Sequence, residues 1–125
     1  MKRVLVIDDS EFAIKTMLLS LQRHFDVITA NNGADGIEKA KSEKPDVILL
    51  DMMMPGMDGI QVCNHLTIDE ATKNIPIIFV TSVDNRLVEA KCIEMGARDY
   101  IEKPVMTELM IQRIKNVLKF SERIQ

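Results

Sequence analysis

Val47-Ile48-Leu49-Leu50-Asp51-Met52-Met53-Met54-Pro55-Gly56-Met57-Asp58-Gly59 is the stretch on which the fold turns. Four consecutive apolar residues end abruptly at a carboxylate, and a segment containing Pro and Gly follows. An apolar run without alternation suits a strand covered by helices on both faces, as in a parallel sheet. A carboxylate placed directly after such a run sits where desolvation is costly unless something compensates.

Comparable runs lie on either side, at residues 4–7, 27–29, 77–80 and 100–101, and helix-period stretches separate them. The pattern is β-α repeated five times, which predicts an open parallel sheet with helices on each side. The first helical stretch places Ile14, Met17, Leu18, Leu21 and Phe25 on one face. Another groups Val88, Cys92 and Met95 ahead of Gly96, an expected left-handed cap. Pro45 and Pro76 precede the third and fourth runs, where a missing N–H does least harm to a sheet. The segment 56–59 predicts a loop, followed by a short helical stretch near 60–66. The last stretch, 107 to about 123, carries Met110, Ile114 and Val117 on one stripe. Ile111, Leu118 and Phe120 fall off that stripe and point to a partner-facing side.

With 125 residues, 46% of them hydrophobic, the chain can bury one compact core but not two, so residues 1–125 are read as a single domain. Its helical, charged end is expected to be a truncated or linker helix. Nineteen acids against 16 bases leave no strongly basic face for a phosphate backbone, so direct nucleic-acid binding is not expected. Met1-Lys2-Arg3 is followed by only four apolar residues before Asp8-Asp9, too few for a signal peptide, and no run approaches a membrane span. Cys63 and Cys92 form no Cys-x-x-Cys and have no His at ligand spacing, which argues against a disulfide or a zinc site. His24 and His65 are expected at the surface. A soluble cytoplasmic protein is the expectation.

In an open α/β sheet, ligands collect outside the carboxyl ends of the strands, so the residues that end each run carry the chemistry. They read Asp8-Asp9 after the first, Asp51 after the third, Thr81 after the fourth and Lys103 just past the fifth. Three crowded carboxylates repel one another, and a hard divalent cation resolves the conflict. Magnesium fits because it takes oxygen ligands and bridges carboxylate to phosphoryl oxygen, with manganese an alternative ion. Lys103 supplies a compact positive charge for a phosphoryl oxygen, and Thr81 a hydroxyl donor. Attack by Asp51 on a phosphoryl group yields an acyl phosphate.

Val4-Leu5-Val6-Ile7-Asp8-Asp9-Ser10, the stretch 47–59, Thr81-Ser82 and Lys103-Pro104 together resemble the receiver signature of bacterial two-component response regulators, of the chemotaxis-regulator kind, across the whole chain. The resemblance implies a flavodoxin-like, doubly wound (βα)5 fold with strand order 2-1-3-4-5. It implies that Asp51 is the phosphoacceptor, that Asp9, Asp51 and the Met53 backbone carbonyl ligate magnesium, and that Asp8 supports the metal through water. It also implies that Lys103 and Thr81 contact the phosphoryl group and that the Lys103-Pro104 bond is cis. Tyr100 matches the aromatic that changes orientation when Thr81 moves, so these two form the expected switch.

Met53 and Val83 border the path of an attacking water in this family, and both are apolar here, which predicts slow autodephosphorylation. The implied partners are a sensor histidine kinase or phosphotransfer protein and a downstream target or output domain. The face of the fourth helix, fifth strand and fifth helix is the expected reader surface, with a phosphorylation-dependent dimer among its uses. Apart from its own phosphotransfer and slow autodephosphorylation, no enzyme activity is expected.

Other readings compete. A phosphohydrolase of the haloacid dehalogenase kind also uses a strand-end Asp, but needs a second Asp two positions later, where this chain has Met53. A flavin binder needs a phosphate loop rich in hydroxyls and glycine, whereas Asp8-Asp9 would repel the phosphate. A docking module that is never phosphorylated finds no support, since acceptor, Thr and Lys are all present. Taken alone, Asp8-Asp9 would be a helix cap and solvated turn, and Met52 to Met54 with Met57 adaptable packing rather than a copper site.

Overall fold

The computed structural model describes residues 1–82, 86–104 and 106–123, the last two by backbone alone. Strands and helices alternate as β1 (Arg3–Ile7), α1 (Glu11–Leu21), β2 (Asp26–Ala30), α2 (Gly33–Glu43), β3 (Val47–Leu50), α3 (Gly59–Ile68), β4 (Ile77–Thr81), α4 (Arg86–Glu94), β5 (Asp99–Glu102) and α5 (Thr107–Arg123). The strands form one parallel sheet in the order β2-β1-β3-β4-β5, as the resemblance implies.

The three central strands are buried on both faces, which explains why their sequences do not alternate. Successive residues nevertheless point to opposite sides. Leu5, Ile7, Ile48, Leu50, Ile77 and Phe79 meet Val62, Cys63, Leu66 and Cys92 on one side. Val4, Val6, Val47, Leu49, Ile78 and Val80 meet Met17, Leu21, Met110, Ile114 and Val117 on the other. Met52 and Met54 are buried as packing, and Cys63 and Cys92 are buried free thiols. Burial pushes the Cys63 thiol up to about 11, away from reactive thiolate.

Local signals set the helix starts. Ser10 accepts from the Ala13 amide to cap α1, and Asn32 accepts from Asp35 to cap α2. Asp58 and Gln61 form a reciprocal capping box on α3. That box pulls Gly59 into the helix, so α3 starts one residue before the expected stretch and the preceding loop ends at Asp58.

Several expectations need correction. Phe25 is not on α1, which stops at Leu21; its amide returns to the Leu21 carbonyl at 3.0 Å, and the turn buries the ring. The Gly96 cap, by contrast, is present as expected: with φ +112° it ends the turn after α4, its amide donating to Ile93 O at 3.0 Å and the Ala97 amide to Cys92 O at 3.1 Å. Leu118 does not face a partner: it is 8% exposed and belongs to the same core as Val117. The buried stripe of α5 is wider than the 110-114-117 series, because a helix on a sheet buries two adjacent rows. Ile111 is half-buried against this core too, which leaves Phe120 exposed, its ring 5.1 Å from the Arg98 guanidinium. Among the described residues, no helix is long and apolar enough to cross a membrane.

Candidate functional site

Chain direction across the sheet reverses at β1, whose neighbours are β2 and β3, and the candidate site lies beyond the carboxyl ends of β1 and β3. Backbone pairing continues past the strands and fixes the site's residues. The Asp8 amide donates to Ala30 O at 3.1 Å, the Asp51 amide to Ile7 O at 3.0 Å, and the Lys103 amide to Thr81 O at 2.8 Å. Asp8, Asp51, Thr81 and Lys103, from four strand ends, are therefore held by the sheet itself, and Asp9 follows Asp8 directly.

Asp8, Asp9 and Asp51 each bring a carboxylate oxygen to within 4.8 Å of the others. Asp8 is fully buried and Asp51 is 8% exposed, whereas Asp9 faces solvent. Both Asp8 oxygens are engaged: Oδ1 accepts from the Ser10 amide at 2.9 Å and Oδ2 from Lys103 Nζ at 2.6 Å. The same ammonium lies 3.8 Å from Asp51 Oδ2. Thr81, wholly buried, hydrogen-bonds the Asp51 carboxylate through its side chain, and the Met53 amide donates to Asp51 Oδ1 at 3.4 Å.

Burial raises the Asp51 carboxyl above the ordinary carboxylate range, and the Asp8 charge raises it further. Lys103, Thr81 and the Met53 amide oppose them without cancelling them. This compensation reduces, without removing, the desolvation cost of a carboxylate after four apolar residues. Three carboxylates around one ammonium still make a net-anionic cluster of hard oxygen donors, a set that fits magnesium.

The Lys103-Pro104 peptide is cis. Tyr100 is 8% exposed, with its ring centroid 6.4 Å from that of Phe79. The Met53 side chain is 63% exposed, while Val83 lies outside the described residues. His24 and His65 are both exposed and far from any strand-end role.

Sequence reasoning missed two features. One is that Lys103 pairs most closely with Asp8, which spacing cannot reveal. The other is Gly59, read as part of a loop, which packs directly on the Asp51-Met52 backbone. The available signal was a glycine immediately after a capping Asp.

The sequence matches the response regulator receiver domain family over residues 4–115. It is 41% identical over 119 residues to Protein PilH of Pseudomonas aeruginosa, covering 94% of this chain and 98% of that protein. It is 38% identical over 122 residues to the alkaline phosphatase synthesis transcriptional regulatory protein PhoP of Bacillus subtilis, covering 97% of this chain but spanning only 50% of PhoP. Among solved structures, the CheX-CheY-BeF3-Mg2+ complex of Borrelia burgdorferi aligns with a TM-score of 0.86 at 30% identity, covering 93% of this chain and 88% of that one. With the strand order and the acid cluster already in place, the chain belongs to the response regulator receiver domain family, the phosphorylation-dependent signalling switches of two-component systems.

Proposed function

We propose that Asp51 is the phosphoacceptor and that the donor is a phosphohistidine on a sensor histidine kinase or phosphotransfer protein. The carrying observation is that the Asp51 carboxylate meets Asp8, Asp9, Lys103 and Thr81 at one strand end. In the reaction, an Asp51 oxygen attacks phosphorus, the P–N bond breaks, and the donor imidazole keeps the electron pair. Asp9, Asp51 and the Met53 carbonyl would hold magnesium directly, and Asp8 through water. A relative bound to BeF3 and Mg2+ supports that assignment. Bound magnesium offsets charge on the phosphoryl oxygens; manganese, which also suits oxygen ligands, would serve in its place.

The chain's own residues do the rest. Burial strips water from the Asp51 nucleophile, and Lys103 is near enough to leave Asp8 for a phosphoryl oxygen. The Thr81 hydroxyl donates to another. Thr81 and Tyr100 then transmit the change to the face formed by α4, β5 and α5, which a downstream target, an output domain or a second copy reads. Residues 1–125 act as one domain in the cytoplasm, with no turnover of other substrates and slow loss of their own phosphoryl group.

Incubation with acetyl phosphate and magnesium should add about 80 Da, one phosphoryl group as an acyl phosphate. Asp51→Ala should gain none. Full gain of that mass by the variant would overturn the assignment.

A further inference from the structure

We propose that Gly59 is a positioning residue for this site: its missing side chain lets the start of α3 clamp the Asp51-Met53 turn, and the clamp sets the affinity for magnesium. The inference rests on the reading of Asp51 and the Met53 carbonyl as ligands.

A Cβ built on Gly59 would stand 2.3 Å from the Asp51 carbonyl oxygen, 2.7 Å from Met52 Cα and 3.0 Å from the Asp51 carbonyl carbon. All three are backbone atoms, so nothing can swing aside. The close approach has a use. The first amides of a helix have no partner within it, and the Gly59 amide donates instead to Met52 O at 2.9 Å. The Met52 carbonyl is thereby fixed, and the next peptide unit carries the Met53 carbonyl. The Met53 amide meanwhile holds Asp51 Oδ1. The Asp58-Gln61 capping box anchors the helix end that presents Gly59. Any residue larger than glycine must push α3 away from the turn, which releases the Met52 carbonyl and lets the Met53 carbonyl rotate.

Outer groups that orient ligands typically change metal affinity by about 10–100-fold, and Gly59→Ala should weaken magnesium binding by about ten-fold or more, followed by NMR titration with magnesium chloride. Thr72→Val is the control for stability. It removes a buried hydrogen bond from Thr72 Oγ1 to Leu66 O, 2.8 Å long, past the far end of α3. The control should keep wild-type affinity within roughly two-fold despite a lowered melting temperature, since it touches no group that orients a ligand.

Equal affinities in Gly59→Ala and wild type, or an equal loss in Thr72→Val, would overturn the inference. A wild type that does not respond to magnesium would overturn the metal reading beneath it. Should Gly59→Ala fail to fold, amide exchange in the wild type decides. Coupling is reciprocal, so magnesium should protect the Gly59 amide more than the remote Ile75 amide, which bonds Thr72 O. Equal protection of the two amides would overturn the clamp.

Discussion

Lys103 stands closer to Asp8 than to Asp51: its Nζ is 2.6 Å from Asp8 Oδ2 and 3.8 Å from Asp51 Oδ2. The Asp8 carboxylate is 1% exposed and its other oxygen is committed to Ser10, so Lys103 is its counter-ion. Removing one member of a buried pair leaves an uncompensated charge, which costs more than the pair itself contributes. Lys103→Met should destabilise the metal-free protein by about 2–3 kcal/mol, at the low end because Lys103 keeps some solvent contact. Adding Asp8→Asn should recover at least about 1 kcal/mol of that loss, read from urea unfolding as a double-mutant cycle. Strict additivity would show that the two side chains do not act as a pair.

Asp51 has the opposite balance. Its carboxyl is raised, first by burial and then by Asp8, so the folded state binds its proton more tightly than the unfolded state does. The stability linked to this group is full below the unfolded carboxylate pKa and is lost as pH rises through the higher folded value. At neutral pH the ionised Asp51 therefore weakens the metal-free fold. Asp51→Asn should raise the metal-free melting temperature by roughly 2–6 °C at pH 7, and the gain should vanish in acid below the carboxylate range. A gain that is the same at both pH values would rule out ionisation as its cause.

Much of this was legible because each signal is local and repeated. The unalternating runs of β1, β3 and β4 encode burial on both faces, and the polar residues ending them encode the site, since a parallel sheet brings strand ends together. Phe25, Leu118 and Gly59 were misread for a common reason. Phe25 is buried by a turn after its helix, Leu118 by the breadth of the sheet under α5, and Gly59 by contact with a turn eight residues earlier. Periodicity reports which face of an element is apolar, but not how far a neighbouring element extends over it.

The corrected placement of Leu118 has a measurable consequence. Leu118→Ala opens a cavity in the core beneath α5 and should cost about 2–4 kcal/mol in chemical denaturation. Phe120, two residues on, is 54% exposed and touches Arg98, so Phe120→Ala should cost less than about 1 kcal/mol. The reverse order would restore the partner-facing assignment to Leu118.

Met53 is the residue expected to set the pace of the last step, the return to the unphosphorylated state. Its amide reaches Asp51 Oδ1, while its side chain is 63% exposed, so a bulky apolar group stands at the mouth of the site beside the proposed acceptor. Hydrolysis of the acyl phosphate needs a water in line with the bond to Asp51. A thioether is only a weak acceptor and cannot donate a hydrogen bond to hold that water, and its bulk would hinder the approach. Met53→Asn keeps the backbone carbonyl and amide but adds a side-chain donor and acceptor. The loss of phospho-Asp51 in magnesium, after removal of the donor, should then quicken by about three-fold or more through better positioning of water. Met53→Leu, equally apolar, should hold the wild-type rate within roughly two-fold, and neither change should move stability beyond about 0.5 kcal/mol because the side chain is exposed. Identical decay in wild type and Met53→Asn would show that this side chain does not govern water access. Faster decay in Met53→Leu would assign the effect to loosened packing instead of hydrogen bonding.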